Sequence, residues 1–141
     1  MKSRFVIAGT LAVVCGVLLI ASQGAAQIKK GKTRPLSTKH LMGGSIGPNC
    51  SALGKALATA PADDKGWDAL VANAGLLNEG GHSLMADGRC PDGVWAGAAK
   101  TLQDCSAVLV TKLEAKDLTG ANDAFKAMTG SCKSCHTAFR K

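Results

Sequence analysis

The residues best suited to chemistry lie near the end of the chain, in the run Cys132-Lys133-Ser134-Cys135-His136. Two cysteines three positions apart, followed at once by histidine, form the c-type haem attachment pattern. On a helix this spacing places the two thiols about one turn apart, where both can reach the vinyl groups of haem. The imidazole of His136 can then bind the iron as the proximal ligand. The motif therefore predicts one covalently bound haem c with its iron.

Two other interpretations of the cysteine pair are open. A redox dithiol has the same spacing, but it is expected at the start of a helix that follows a strand, and no strand pattern precedes it. Half of a zinc site would need a second ligand pair at similar spacing, which the sequence lacks. The histidine and an export signal favour haem, and the dithiol is the remaining alternative.

Residues 1–26 have the pattern of a cleavable signal peptide. Lys2 and Arg4 form a positive start, an almost wholly apolar run follows, and Gly24-Ala25-Ala26 offers the small residues that a signal peptidase reads. A retained membrane anchor is the alternative, but the apolar run is at the short end for a span. We therefore predict a periplasmic protein, with no stable membrane insertion after cleavage. Covalent haem attachment in bacteria also takes place outside the cytoplasm.

The remaining chain of about 115 residues is enough for one domain with a modest core. Loss of Lys2 and Arg4 lowers the formal charge from +7 to +5. Much of this charge lies in residues 27–37, which we interpret as a flexible, solvated basic tail. The alternative is a docking patch for an acidic partner or an anionic membrane surface. Nucleic-acid binding is not expected of an exported chain without interleaved aromatic residues.

Residues 38–141 are predicted to form an all-α domain, an antiparallel four-helix bundle. Alanine and leucine are abundant and β-branched runs are absent. A kink or restart is expected near Pro48 in the first helix, because proline disrupts a helix interior. The predicted helices span residues 38–59, 64–85, 93–115 and 120–139.

Caps and apolar spacing support these helices. Asp63, Asp92 and Thr119 are placed to cap the second, third and fourth helices, and Gly80-Gly81 is expected to weaken the end of the second. Apolar residues recur at intervals of three or four along the last three helices. They include Trp67, Leu70, Val71, Ala74, Leu77 and Leu84, then Val94, Trp95, Ala98, Leu102, Cys105, Leu109 and Leu113, and finally Ala121, Phe125, Met128 and Phe139.

The position of the motif at the C-terminal end of the fourth helix carries a family resemblance. Most c-type cytochromes have this motif near the N-terminus, whereas here an arginine, Arg140, follows His136 by four positions. Together with four helices of suitable length, these features make residues 38–141 resemble a class II cytochrome c, the group of cytochrome c prime and its low-spin relatives.

The resemblance implies a ligand set and a function. In low-spin members a methionine from the first helix binds the distal face of the iron, and Met42 aligns with that position. This implies His136–Fe–Met42 ligation and an electron carrier that docks with redox partner proteins, without enzymatic activity. Arg140 would lie near the haem carboxylates. Class II members are often homodimers through their first two helices, although the break after Met42 argues against simple transfer.

Other functions follow if Met42 only packs on the haem. The protein would then be a five-coordinate haem protein that binds or senses a small gas such as nitric oxide or carbon monoxide. A haem enzyme would need a distal acid–base group, and the candidates, His40 and His82, are poorly placed on their helices. Met85 and Met128 are expected to fill the core.

Three further cysteines follow the signal segment, at Cys50, Cys90 and Cys105. In an oxidising compartment a disulfide is expected, with one thiol left over. We predict a Cys50–Cys90 bridge, which would tie the broken first helix to the connection between the second and third helices. Closing this loop of about 40 residues would contribute roughly 3–4 kcal/mol on a chain-entropy estimate. Cys105 would then be a buried thiol.

Overall fold

The computed structural model describes residues 30–140, which form four helices around one core. Helix α1 has three consecutive parts: α-helical Thr38–Leu41, a π-helical turn at Met42–Ile46, and α-helical Gly47–Ala56. Helices α2, α3 and α4 span Asp64–Met85, Gly93–Glu114 and Leu118–Phe139. The predicted all-α four-helix bundle is confirmed. The predicted signal peptide lies outside the described residues.

Side-chain caps fix where the last three helices begin. Asp63 accepts a hydrogen bond from the Gly66 amide at 2.8 Å, and Asp92 accepts one from the Trp95 amide at 3.0 Å. The predicted caps of α2 and α3 are therefore confirmed. The predicted cap Thr119 is wrong, because α4 begins two residues earlier and is capped by Asp117. A carboxylate satisfies the free amides and also opposes the positive end of the helix dipole.

The core lies between the four helices and contains most of the residues that apolar spacing predicted. Its most deeply buried side chains are fully inaccessible. They include Leu53, Leu77, Leu109, Leu113 and Met128. Val94 is an exception, at 54% exposure, because the neighbouring Trp95 takes the inward direction and donates its indole N–H to the Leu84 carbonyl oxygen at 2.9 Å.

The glycine pair near the end of α2 lies within the helix, which ends at Met85 as predicted. Both glycines are buried. A Cβ built on Gly80 would lie 2.7 Å from Ile46 Cγ1 of α1, and one built on Gly81 would lie 2.8 Å from Gln103 Cγ of α3. The missing side chains therefore allow α2 to approach two neighbouring helices closely.

The described part of the predicted basic tail, residues 30–37, packs against the α2–α3 connection. The carboxylate of Asp87 accepts hydrogen bonds from the amides of Thr33 and Arg34 at 3.0 and 2.9 Å. The guanidinium of Arg89, which is 2% exposed, donates to the Leu36 carbonyl oxygen at 2.8 Å. These contacts were not predicted from the sequence, and they hold the chain that leads into α1.

The four helices do not pack with equal closeness. Helix α3 packs closely along both α2 and α4, whereas α1 lies closer to α2 than to α4. Helices α1 and α4 still meet through side chains near the end of α1, where Asn122 Nδ2 donates to the Leu57 carbonyl oxygen at 3.0 Å. Within residues 30–140, none of the helices combines the length and apolarity that a membrane span requires.

Candidate functional site

The haem motif occupies the last two turns of α4. Cys132 and Cys135 are half-buried and His136 is exposed, so the motif lies at the boundary between the bundle and solvent. The helix continues through the motif to Phe139, whose ring meets Trp95 edge to face at a centroid distance of 5.3 Å. This contact fixes the end of α4 against the start of α3.

An open cleft lies beside the motif and is lined by all four helices. The empty space in it is about 400 Å³, counting the part open to solvent. Its walls are apolar, apart from the imidazole, the thiols and a serine hydroxyl. The lining residues are Met42 and Ile46 of α1, Leu84 of α2, Trp95, Ala98, Ala99 and Leu102 of α3, and Ser131, Cys132, Cys135 and His136 of α4.

The antiparallel register of α1 and α4 explains why Met42 reaches this cleft. A Cβ built on Gly54 would lie 3.4 Å from Phe125 Cζ, so these two positions are level. Going back from Gly54 to Met42 covers about 18 Å of helix, and going forward from Phe125 to His136 covers about 16 Å. Met42 and His136 are thus brought to the same end of the bundle, where both line the cleft.

The cleft suits a c-type haem. Its apolar walls match a flat, largely apolar macrocycle, and its few polar groups are of the kinds that attach and ligate haem. Cys132 and Cys135 would hold the group covalently, and His136 would bind the iron. Met42 offers a thioether sulfur from the facing helix.

The thiols around the cleft lie in a partly desolvated environment. Burial raises the pKa of Cys132, and burial, followed by electrostatic interaction with Cys132 and with Asp92, raises the pKa of Cys135. Burial also raises the pKa of Cys50, and Cys132 contributes a further increase, so Cys50 of α1 lies near the motif. All three groups are therefore protonated thiols at neutral pH.

The predicted disulfide is not present in the structure. Cys50 and Cys90 are both free, as is the half-buried Cys105. Cys50 lies within electrostatic reach of Cys132 on α4, whereas the Cys90 thiol donates to the Asp92 carbonyl oxygen at 3.4 Å within its own connection. The two proposed partners thus make different contacts, and sequence position alone could not show this.

The remaining candidates from the sequence lie outside the cleft lining. Arg140 is exposed just after α4, and its described contact is a backbone hydrogen bond to the His136 carbonyl oxygen at 3.0 Å. His40 pairs with the Ser37 hydroxyl at 3.0 Å, and His82 is exposed on α2. Neither histidine shares the cleft with Met42 and His136.

The other two methionines differ from each other. Met128 is fully buried in the core, as predicted, but Met85 is 38% exposed. The prediction for Met85 was wrong because α2 ends there and its last turn leaves the core.

Sequence reasoning missed several residues that shape the site. Ile46 and Leu84 form part of the cleft wall. The helical spacing of Leu84 marked it as a core residue, but spacing does not distinguish a cleft wall from a core. The buried Arg89 was also missed, because arginine is usually exposed and only a tertiary contact, here with the Leu36 carbonyl oxygen, shows its role.

Comparison with known proteins found a similarity that covers the last two helices. The family model Cytochrome C' matches residues 92–140, which contain α3, α4 and the haem motif. The search of curated proteins and the search of solved structures found no match. The predicted resemblance to the cytochrome c prime family is confirmed by this match, which supports a haem-binding cytochrome. Helix α1, with Met42, lies outside the matched residues.

Proposed function

We propose that this chain, whose α3 and α4 carry the Cytochrome C' pattern, is a periplasmic electron carrier with one covalent haem. The axial iron ligands would be His136 of α4 and Met42 of α1. One observation carries the proposal: these two side chains, of the types that ligate low-spin cytochrome iron, line the same cleft from facing helices. Methionine–histidine ligation raises the reduction potential and suits electron transfer.

Each wall of the cleft has a part in this function. Cys132 and Cys135 would hold the haem by two thioether bonds, which fixes its orientation relative to α4. Haem iron, when bound, supplies a one-electron couple. Trp95 and Leu102, both buried on α3, exclude water from the apolar wall, and a low local dielectric helps to set the potential.

The open edge of the cleft suits brief encounters with redox partner proteins. His136 and the adjoining Lys133 are exposed, so the attachment side reaches the surface. A chain with a net positive charge would be steered towards acidic partners. The proposal includes no substrate chemistry, because His40 and His82 do not line the cleft.

Gas binding is the second candidate, and one feature of α1 favours it. Met42 is followed by Gly43 and Gly44, which are exposed, and a Cβ built on either would meet nothing within 4 Å. A ligand held by a segment with so few contacts could be displaced by carbon monoxide or nitric oxide.

The two functions are distinguished by absorption spectra of the exported holoprotein, oxidised and reduced, with and without carbon monoxide. We expect a low-spin wild type that is indifferent to carbon monoxide and a high-spin Met42→Ala variant that binds it. Met85→Ala is the matched control, because Met85 lies outside the cleft lining, and its spectrum should equal that of wild type.

Two results would contradict the proposal. A high-spin wild type that binds carbon monoxide readily would assign the protein to the gas-binding class. A protein that carries no covalent haem after export with a haem-attachment system would remove both functions and return Cys132 and Cys135 to a redox dithiol.

A further inference from the structure

The π-helical turn at Met42–Ile46 is the most irregular part of α1, and it begins at the proposed distal ligand. The amide of Gly47 donates to the Met42 carbonyl oxygen, five positions back rather than four. Regular α-helix precedes the turn at Thr38–Leu41 and follows it at Gly47–Ala56. Such single wide turns inside α-helices often occur at functional sites.

The sequence after the turn explains why it is wide. Pro48 has no amide hydrogen, and its ring would clash with the carbonyl group of Gly44, four positions earlier, in a regular helix. A wider turn relieves this clash. The side chain of Asn49 donates to the Ser45 carbonyl oxygen at 2.8 Å, which satisfies an acceptor that the irregular ladder could leave unpaired.

Two glycines leave the space that the wide turn occupies. A Cβ on Gly47 would lie 2.9 Å from the Met42 carbonyl oxygen, against the acceptor that closes the turn. A Cβ on Gly80 of α2 would lie 2.7 Å from Ile46 Cγ1, at the other end of the turn. Larger residues at either position would therefore displace the turn.

The wide turn changes which side chains of α1 face the core. In a regular helix, Leu41 and Leu53 would point about 120° apart, and Met42 would point within about 20° of Leu53. A π turn adds about one residue, which rotates the preceding segment by about 100° relative to the rest. In the structure Leu41 is 8% and Leu53 0% exposed, while the half-buried Met42 lines the cleft.

We propose that this turn is the device that presents the Met42 sulfur to the cleft, and that Gly47 and Pro48 are its positioning residues. The inference rests on the proposed function, in which Met42 is an iron ligand. Without the turn, the chain would bury Met42 in place of Leu41 and would leave the distal side of the cleft without its thioether.

The experiment compares Gly47→Ala with Gly43→Ala in the exported holoprotein. Both replace a glycine of the same helix by alanine and gain similar helix propensity. Only the methyl group at position 47 meets the turn, because a Cβ on Gly43 has nothing within 4 Å. We expect Gly47→Ala to become high-spin and to bind carbon monoxide about tenfold more tightly in the ferrous state, since the gas no longer competes with the methionine. Gly43→Ala should resemble wild type in both measurements.

Pro48→Ala gives a second test that does not depend on a steric clash. This variant regains an amide donor and loses the ring, so α1 should become a regular helix and remain folded. Circular dichroism and covalent haem content would show that the fold is retained. We expect the same change in spin state and carbon monoxide affinity as in Gly47→Ala.

Met42→Ala, measured in parallel, distinguishes the positioning role of the π turn from the ligand role of Met42. If Met42→Ala becomes high-spin while Gly47→Ala and Pro48→Ala, both folded, keep the wild-type spectrum, the positioning role is wrong and the proposed function stands. If Met42→Ala leaves the spectrum unchanged, both are wrong. If Gly47→Ala does not fold, the result of Pro48→Ala decides.

Discussion

The two sides of the cleft are built differently. Helices α3 and α4 are regular, pack closely on each other, and contain the attachment motif and the residues matched by the Cytochrome C' family model. Helix α1, on the facing side, has a π turn, four glycines and a proline. The first side can fix a cofactor covalently with ordinary helix geometry. Under the proposed function, the second side presents one side chain, Met42, through a local departure from helix geometry.

The two sides should differ in how sensitive they are to substitution. On the α4 side the spacing of Cys132, Cys135 and His136 follows from the helical repeat itself. On the α1 side the direction of Met42 depends on the turn that begins at this residue, and one methyl group at Gly47 would oppose it. Small substitutions in α1 should therefore change the coordination of the iron without changing its attachment.

The largest effect on stability is expected from truncating buried leucines, and it tests whether the closely packed α3–α4 side contributes more stability than α1. Leu109 of α3 and Leu53 of α1 are both fully buried. Leu109→Ala should lower the free energy of unfolding by about 3–5 kcal/mol and Leu53→Ala by about 2–3 kcal/mol, because a looser site can collapse around the cavity. Urea unfolding of the holoprotein measures both. Val108→Ala, at a side chain that is 51% exposed, is the control, and equal losses at Leu53 and Leu109 would contradict the comparison.

A smaller loss of stability is expected from a substitution where α2 meets the π turn. Gly80→Ala places a methyl group 2.7 Å from Ile46 Cγ1, and overpacking of this kind typically costs about 1–3 kcal/mol. Gly75→Ala is the matched control on the same helix. Its Cβ would meet nothing within 4 Å, so its stability should rise by up to about 1 kcal/mol.

Thermal unfolding of the two glycine variants of α2, followed by circular dichroism, gives both values. A stabilising Gly80→Ala substitution would show that Ile46 moves freely. The π turn would then be less tightly fixed by α2 than the distance suggests.

The smallest effect is a local one, on the stability of residues 30–37, the segment that leads into α1. Hydrogen bonds from the Arg34 and Thr33 amides lower the pKa of Asp87 below its usual value, which is about 3.9. The ionised carboxylate thus adds stability above that value, and this stability is lost as the pH falls through the lowered pKa of the folded state. The protection factors of the Thr33 and Arg34 amides, measured against the intrinsic exchange rate at each pH, should therefore fall below about pH 4.

Asp87→Asn should show low protection factors at these two amides already at neutral pH, with much less change in acid. Asp123→Asn, at an exposed position of α4, serves as the control. Protection factors of these two amides that do not change between pH 6 and pH 3 in the wild type would contradict the role of the Asp87 carboxylate.

Much of the fold could be predicted because local signals agreed with tertiary packing. The bounds of α2 follow from the Asp63 cap and the apolar repeat, and the structure has them at Asp64–Met85. The start of α4 was missed by two residues because both Thr119 and Asp117 are reasonable caps, and only the hydrogen bond from the Gly120 amide to Asp117 decides between them.

The site was less predictable because its geometry depends on contacts between distant residues. The motif and Met42 were identified from residue type and position, and the structure places them in one cleft. Pro48 indicated a break, but whether a helix kinks, restarts or widens depends on its neighbours, here Gly80 of α2. The pairing of Cys50 with Cys90 stays a prediction: the structure has both as free thiols, and sequence provides order along the chain without distances.

The buried Arg89 has a consequence for maturation of the chain. Its guanidinium donates to the backbone of Leu36, and its Nε atom has no described hydrogen-bond partner. A protease that trimmed the mature chain beyond Leu36 would remove the acceptor and leave a buried cation with less compensation, which strongly destabilises a protein. If the predicted signal peptide is removed, its cleavage site should therefore lie upstream of this short segment. Cleavage after Ala26 would meet that condition, with residues 30–37 left in place to cover the arginine.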